Sequence, residues 1–268
     1  MFGFRFAARG LFSVSALAAM FVLFARCAQA AEAPNRPSGA KTPAAVQKPI
    51  QVLLVTGAEY HNWRETAPAL VRLLQADPRI EVRVIEDAHF LDSAALSRYH
   101  AVFLNYMNWQ VPAPGPRARE NLQRAVAKGT GLVLIHFACG AWQDWPEFVK
   151  LAGRVWNPKF RGHDPHGRFR VEIVDPEHPV TKGMQSFETI DELYTCLDGD
   201  EPIHVLATAK SKVDQKDYPM AFVHQYGKGR VFHCVLGHDV KALEPAAVGE
   251  LLRRGTAWAA GQPPTKAK

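Results

Sequence analysis

Histidines and carboxylates recur in one kind of place along this chain, directly after short apolar runs. Residues 50–56 lead into Gly57-Ala-Glu-Tyr-His61-Asn-Trp63, residues 101–104 into Asn105-Tyr-Met-Asn-Trp109, and residues 131–135 into His136-Phe-Ala-Cys139-Gly140. Later runs end at His224 and at Leu236-Gly-His238-Asp239. Two polar loops add Arg161-Gly-His163-Asp164-Pro-His166-Gly-Arg168 and Asp191-Glu192-Leu-Tyr194. An imidazole titrates near neutrality and can pass protons. When neutral it can also hold zinc or a similar ion beside carboxylates. One histidine after a strand is usually a surface or structural residue. Several at equivalent ends of one open α/β sheet are brought together by the fold.

The spacing does not fix a metal site. His163 and His166 flank Asp164 in a way that permits an ion, but the chain has no CxxC or HExxH pair. Cys139 follows a buried run into a glycine-containing turn, which raises a nucleophile. In an elbow of that kind, however, the nucleophile sits at the strand exit, and His136 holds that position. Cys139 therefore reads as a small packed residue, and Cys196 and Cys234 as core. No GxSxG, P-loop or GxGxxG is present, so serine-hydrolase, nucleotide-hydrolase and dinucleotide readings lack a motif. Trp63, Trp109, Tyr106, Trp142, Trp145, Trp156 and Tyr194 fall near the same loops. Aromatic faces pack on the C–H faces of sugars, and Trp63 and Trp109 stand just past strand ends as ligand candidates. Trp142, Trp145 and Trp156 read as core edges.

The elements needed to position these groups are legible. Residues 50–56, 82–85, 101–104 and 131–135 are short apolar runs suited to strands buried on both faces. Helical spacing over 66–76, 93–97 and 117–128 separates them, with Asp77-Pro78 and Gly129 as stops. This alternation predicts a doubly wound, flavodoxin-like α/β sheet, mostly parallel. Residues 169–174, 204–209, 220–224 and 230–235 are strand-like, and Tyr226-Gly-Lys-Gly229 makes the last two an antiparallel hairpin. Residues 246–260 form a closing helix, and the late strands extend or flank the same sheet.

The 268 residues are 47% hydrophobic and 22% charged, which supports a packed core and excludes wholesale disorder. The net charge of +6 sits at the ends. Arg5, Arg9 and Arg26 lie among the first 30 residues, Arg36, Lys41 and Lys48 against Glu32 in 31–49, and Lys266 and Lys268 at the close. The intervening domain is nearly neutral, so nothing points to nucleic acid. Arg5 and Arg9 precede an apolar run from Leu11 to Ala25, and Ala28-Gln29-Ala30 follows. That layout predicts a signal peptide over 1–30, and export to the periplasm or beyond. The run is too short to span a bilayer, so no stable membrane insertion is expected after cleavage. Arg26 before Cys27 stands where a lipoprotein would carry a small residue. Residues 31–49 read as a flexible linker, 50–260 as one domain, and 261–268 as a disordered tail. Three cysteines after cleavage make no disulfide scaffold.

Gly57-x-x-x-His61-x-Trp63, the Gly131-Leu-Val-Leu-Ile-His136 strand exit, Gly162-His163-Asp164 with Gly167-Arg168-Phe169, Asp191-Glu192-Leu-Tyr194, and Tyr226-Gly-Lys-Gly-Arg-Val-Phe232 leading to Leu236-Gly-His238-Asp239 together resemble the ThuA-like (trehalose-utilisation) family. The resemblance covers roughly residues 50–260. It implies a flavodoxin-like fold of the class I glutamine amidotransferase type and a role in sugar use. Members of that family accompany oxidoreductases that act on disaccharides through 3-keto intermediates. Amidotransferases carry cysteine where His136 stands, so a glutaminase activity is not expected.

The expectation is an exported protein that processes a glycoside or 3-keto sugar by His/carboxylate acid–base chemistry. Its catalytic candidates are His136, His61, His238, Asp191 and Glu192. His61, His136 and His238 are also candidate ligands of a divalent metal such as zinc. Trp63, Trp109, Asn105, His163, Arg168, Tyr194 and Asp239 are candidate substrate contacts. Isomerisation, elimination and hydrolysis all stay open, and a homo-oligomer is compatible with the chain. A second reading is a non-catalytic carbohydrate-binding or partner protein, and a third a hydrolase using Cys139.

Overall fold

The structure is a computed structural model and describes residues 49–265. The signal peptide expected over 1–30, nearly all of the linker expected over 31–49, and residues 266–268 lie outside the described residues.

In chain order the strands are β1 (Ile50–Val55), β2 (Ile80–Ile85), β3 (Ala101–Leu104), β4 (Gly131–Ile135), β5 (Val155–Trp156), β6 (Gly167–Ile173), β7 (Phe187–Asp191), β8 (Leu197–Asp198), β9 (His204–Lys210), β10 (Asp217–Tyr226) and β11 (Gly229–Cys234). The helices are α1 (Trp63–Gln75), α2 (Pro116–Lys128), α3 (Glu147–Ala152), α4 (Val240–Leu243) and α5 (Ala246–Ala259). One large sheet runs β2-β1-β3-β4-β11-β10-β9-β6-β7, and β5 pairs with β8 apart from it. The first five strands of that order pair in parallel. Their 2-1-3-4-then-last order is the flavodoxin-like one, in which ligands bind beyond the carboxyl ends of the strands. The remaining strands add on antiparallel.

The continuous apolar runs become double-faced strands because side chains alternate across a sheet. Ile50, Val52 and Leu54 of β1 pack on one side with Leu70 and Leu74 of α1 and Leu251 and Leu252 of α5. Leu53 and Val55 pack on the other with Leu122 and Val126 of α2 and Phe148 of α3. The sheet is thus covered on both faces, as parallel strands require.

The antiparallel part reaches beyond the expected hairpin, because β9, β6 and β7 continue the same sheet. Strand β7 was not expected from the sequence. Its inward positions are Thr189 and Asp191, both buried, while Ile190 faces out. That inverts the hydrophobic alternation by which strands are recognised. Helix α1 begins three residues earlier than expected, at Trp63. The C-terminal tail is anchored as far as it is described: Arg79 donates to the Pro263 carbonyl (3.0 Å) and to Thr265 Oγ1 (2.9 Å). No helix among the described residues is long and apolar enough to cross a membrane.

Helix α5 lies against β11 so closely that a Cβ on Gly255 would meet two Phe232 ring carbons at 2.2 Å. Gly255→Ala is therefore expected to lower stability by about 1–3 kcal/mol, despite alanine's better helix propensity. An unfolding midpoint in urea equal to the parent's would show that the helix can simply shift.

Candidate functional site

Three strand ends and one loop converge on the carboxylate of Glu192, which itself follows β7. His136 leaves β4 with φ +45°, a left-handed conformation unusual for a side chain of this size. That bend turns its ring across the end of the sheet. Its Nδ1 lies 2.8 Å from the Val235 carbonyl, which can only accept, so Nδ1 carries the proton. Its Nε2 is therefore an acceptor, and the Tyr194 hydroxyl donates to it at 2.9 Å. Burial, reinforced by His61, His238 and His163 nearby, holds the His136 pKa well below the usual histidine range. This ring is neutral at neutral pH.

His61 stands in the loop after β1. Glu59 takes both its backbone N–H (2.5 Å) and its ring Nδ1–H (3.0 Å), leaving Nε2 aimed at Glu192 Oε2, 3.9 Å away. His163 pairs with Tyr194 in an isolated bridge, and its Nδ1 donates to the Asp164 carbonyl at 2.7 Å. Its Nε2 is 3.4 Å from Glu192 Oε1. The buried Asp164 anchors that loop through Arg161, Ser211 Oγ and the Lys212 amide. His238 follows β11, with Nε2 3.5 Å from Glu192 Oε1. His136 Nε2 is 3.7 Å from Glu192 Oε2. The rings of His61 and His136, and those of His61 and His238, have centroids 4.6 Å apart.

Asp191 precedes this hub and is wholly buried. One of its oxygens accepts the Gly237 amide (2.7 Å), and the other accepts the amides of Glu192 (2.7 Å) and His238 (3.3 Å). Burial nevertheless pushes its pKa up to about 7 against the pull of those amides. Gly237 has φ +119°, which lets its N–H reach the carboxylate. Asp191 thereby ties the end of β7 to the exit of β11 and sets Glu192 against His238. No substrate can reach it.

The structure thus brings together His61, His136, His163, His238, Glu192, Tyr194 and Asp239. Asp239 caps α4 through the Ala242 amide and turns its other oxygen towards His238 Nδ1 (3.5 Å) and His166 Nε2 (3.9 Å). Trp109 sits beside the cluster, 47% exposed, its ring 4.9 Å from Phe137, which in turn is 5.7 Å from His61. Three expected contacts fall elsewhere. Trp63 starts α1 and faces an outer groove with Ala67, Pro68, Val71 and Val84. Asn105 is buried, with only weak bonds to Thr56 and Thr66 across the ends of β1 and β3. Arg168 pairs with the exposed Ile190, on the face of β6–β7 opposite to Asp191.

Sequence reasoning gave no role to Glu59, which orients His61, or to Tyr60, whose exposed ring lies 6.0 Å from Phe137. A carboxylate two residues before a histidine was the available signal for Glu59. Trp156, read as a core edge, forms part of the aromatic floor with Phe137 and Tyr194. Cys139, Cys196 and Cys234 are buried free thiols, and burial pushes the Cys139 pKa well up, so its thiolate is not accessible.

Residues 51–259 match the family described as ThuA, trehalose utilisation. The chain belongs to the ThuA family. A ThuA-like protein of Parabacteroides merdae superposes with a TM-score of 0.73 at 27% identity, over 82% of this chain and 93% of that one. One from Bacteroides uniformis gives 0.64 at 20% identity, over 84% and 99%. A β-galactosidase of Bacillus circulans shares the fold alone, at 0.53 and 16% identity, over 80% of this chain and 31% of that enzyme. No curated protein matches the chain. ThuA membership gives this protein a sugar-related role, and the hub around Glu192 is its candidate site.

Proposed function

We propose that this ThuA-family protein is an exported enzyme that moves a proton next to the carbonyl of a small oxidised sugar. The observation that carries the reading is the gathering of four imidazole Nε2 atoms within 3.4–3.9 Å of one carboxylate. Exposed Trp109 and Tyr60 alongside offer faces on which a sugar ring can rest.

In a 3-keto sugar the C–H beside the carbonyl is acidified. His163 is the base best placed to remove that proton. Its Nδ1–H is fixed on a carbonyl, its Nε2 carries the lone pair, and its side chain is 36% exposed. The proton passes to Nε2, and the Glu192 carboxylate beside it stabilises the imidazolium. The electron pair moves onto the carbonyl oxygen, giving an enolate. If the hydroxyl on the deprotonated carbon gives its proton to the enolate oxygen and His163 returns its proton to the former carbonyl carbon, the carbonyl has moved by one carbon and an isomerisation is complete. Breaking the bond to a glycosidic oxygen instead gives an elimination. His136, neutral and tied to Tyr194, is the wall that keeps these rings in place. Export rests on residues 1–30.

The test is incubation of the protein with 3-keto-glucosides in heavy water, followed by NMR. Deuterium beside the carbonyl, or release of the aglycone, is expected, and both should be lost in His163→Gln. A ligand that binds without exchange or turnover would instead favour a sugar-binding protein, with affinity then lost in Trp109→Ala.

A further inference from the structure

Within the hub, acceptors face acceptors. The His61 Nδ1–H is given to the Glu59 carboxylate, so in the neutral ring Nε2 is a bare lone pair. It points at Glu192 Oε2 from 3.9 Å, and His238 Nε2 lies 3.5 Å from Oε1. Both separations exceed the roughly 2.7–3.2 Å of a hydrogen bond. They suit two donors sharing a cation, each about 2.1 Å from it and therefore roughly 3–4 Å apart. His61, Glu192 and His238 each offer one such atom, all within 4.8 Å of one another. A second, independent feature points the same way. Histidines that ligate a metal characteristically give their other ring N–H to a carboxylate or backbone carbonyl, and the His61–Glu59 pair has that form.

We propose that His61 Nε2, His238 Nε2 and the Glu192 carboxylate together bind one divalent transition-metal cation. The sequence suggested His136 as the third ligand, but its Nε2 accepts the Tyr194 hydroxyl. Glu192 takes that place. The trio of His166, His238 and Asp239 also clusters. It is more exposed, and Asp239 is committed to capping α4, so it makes the poorer site. Two imidazoles and a carboxylate suit zinc, iron(II), cobalt, nickel or manganese rather than copper(I), which prefers thiolates. Three protein ligands leave positions open to an incoming oxygen. A cation there supplies positive charge opposite an oxygen that becomes negative, and in that sense the inference rests on the sugar-processing reading.

The experiment needs no sugar, so its failure is distinct from a failure of turnover. The full chain, stripped with a chelator, is titrated with zinc(II) and cobalt(II) by calorimetry, and bound metal is counted by elemental analysis. One equivalent is expected, and the cobalt form should show d–d absorption without a thiolate charge-transfer band. His61→Ala and Glu192→Gln should each weaken binding at least about tenfold. Glu59→Gln, which keeps every ligand but removes the carboxylate partner, should weaken it by roughly 10–100-fold. The exposed His89→Ala is the control and should bind as the parent does. Circular dichroism melts identify any variant that fails to fold, and Glu59→Gln then decides. Absence of binding by the parent chain, or equal affinity in the ligand variants, overturns the proposal.

Discussion

Glu192→Gln is expected to lower turnover of a keto sugar by roughly 10²–10⁴-fold while leaving the melting temperature at or above that of the parent chain. The two effects have one cause. The carboxylate has His61, His136, His163 and His238 around it at 3.4–3.9 Å. Nδ1 carries the proton in His61 and His163, so their Nε2 atoms present lone pairs to its oxygens, while His136 Nε2 accepts from Tyr194. An amide in the same place puts N–H donors in front of those lone pairs. It also removes the charge that would stabilise an imidazolium or hold a cation. Steady-state rates and a thermal scan on the same preparation check both parts. A variant that loses stability and activity together would make Glu192 a structural residue and remove it from the chemistry.

Asp191→Asn is expected to act through the scaffold. The Asp191 oxygens accept three backbone N–H groups, from Gly237, Glu192 and His238. Asparagine replaces one of those oxygens with a donor, leaving a buried N–H without an acceptor at a cost of about 1–3 kcal/mol. The tie between β7 and the exit of β11 weakens, so Glu192 and His238 lose their alignment and turnover falls with stability. The pH dependence separates this from a general loosening. Asp191 titrates at about 7 in the folded chain because of burial, against an ordinary value of 3.8. Between those values the folded chain holds a proton that the unfolded chain has released. This group's contribution to stability is therefore present at low pH and lost as pH rises towards neutrality. Urea midpoints at about pH 5 and about pH 8 should fall further in the parent than in the variant. An equal fall in both would mean that the three amides keep Asp191 ionised throughout.

The parallel half of the fold was legible because each of its strands is a short apolar run buried on both faces, a pattern that local sequence carries by itself. The histidines past β1, β4 and β11 were legible for the same reason, since strand ends fix positions on one rim. Trp63 shows the limit of that argument. It is two residues from His61, yet α1 begins at Trp63 and turns its ring to the outer groove. Strand β7 was hidden because its buried face carries Thr189 and Asp191, and the Asp191 carboxylate is met by amides of Gly237 and His238 from far along the chain.

The sequence by itself determined an α/β sheet whose carboxyl edge is rich in imidazole, because strand burial and turn chemistry are local properties. Only the tertiary structure decided which carboxylate those imidazoles surround, which ring nitrogens stay bare, and that Asp191 holds the loops rather than meeting a substrate. Those outcomes depend on acceptors such as Val235 O and on amides such as that of Gly237. Whether a hydrogen bond forms is settled by distance in space, and among residues 40 or more positions apart nothing in the linear order specifies it.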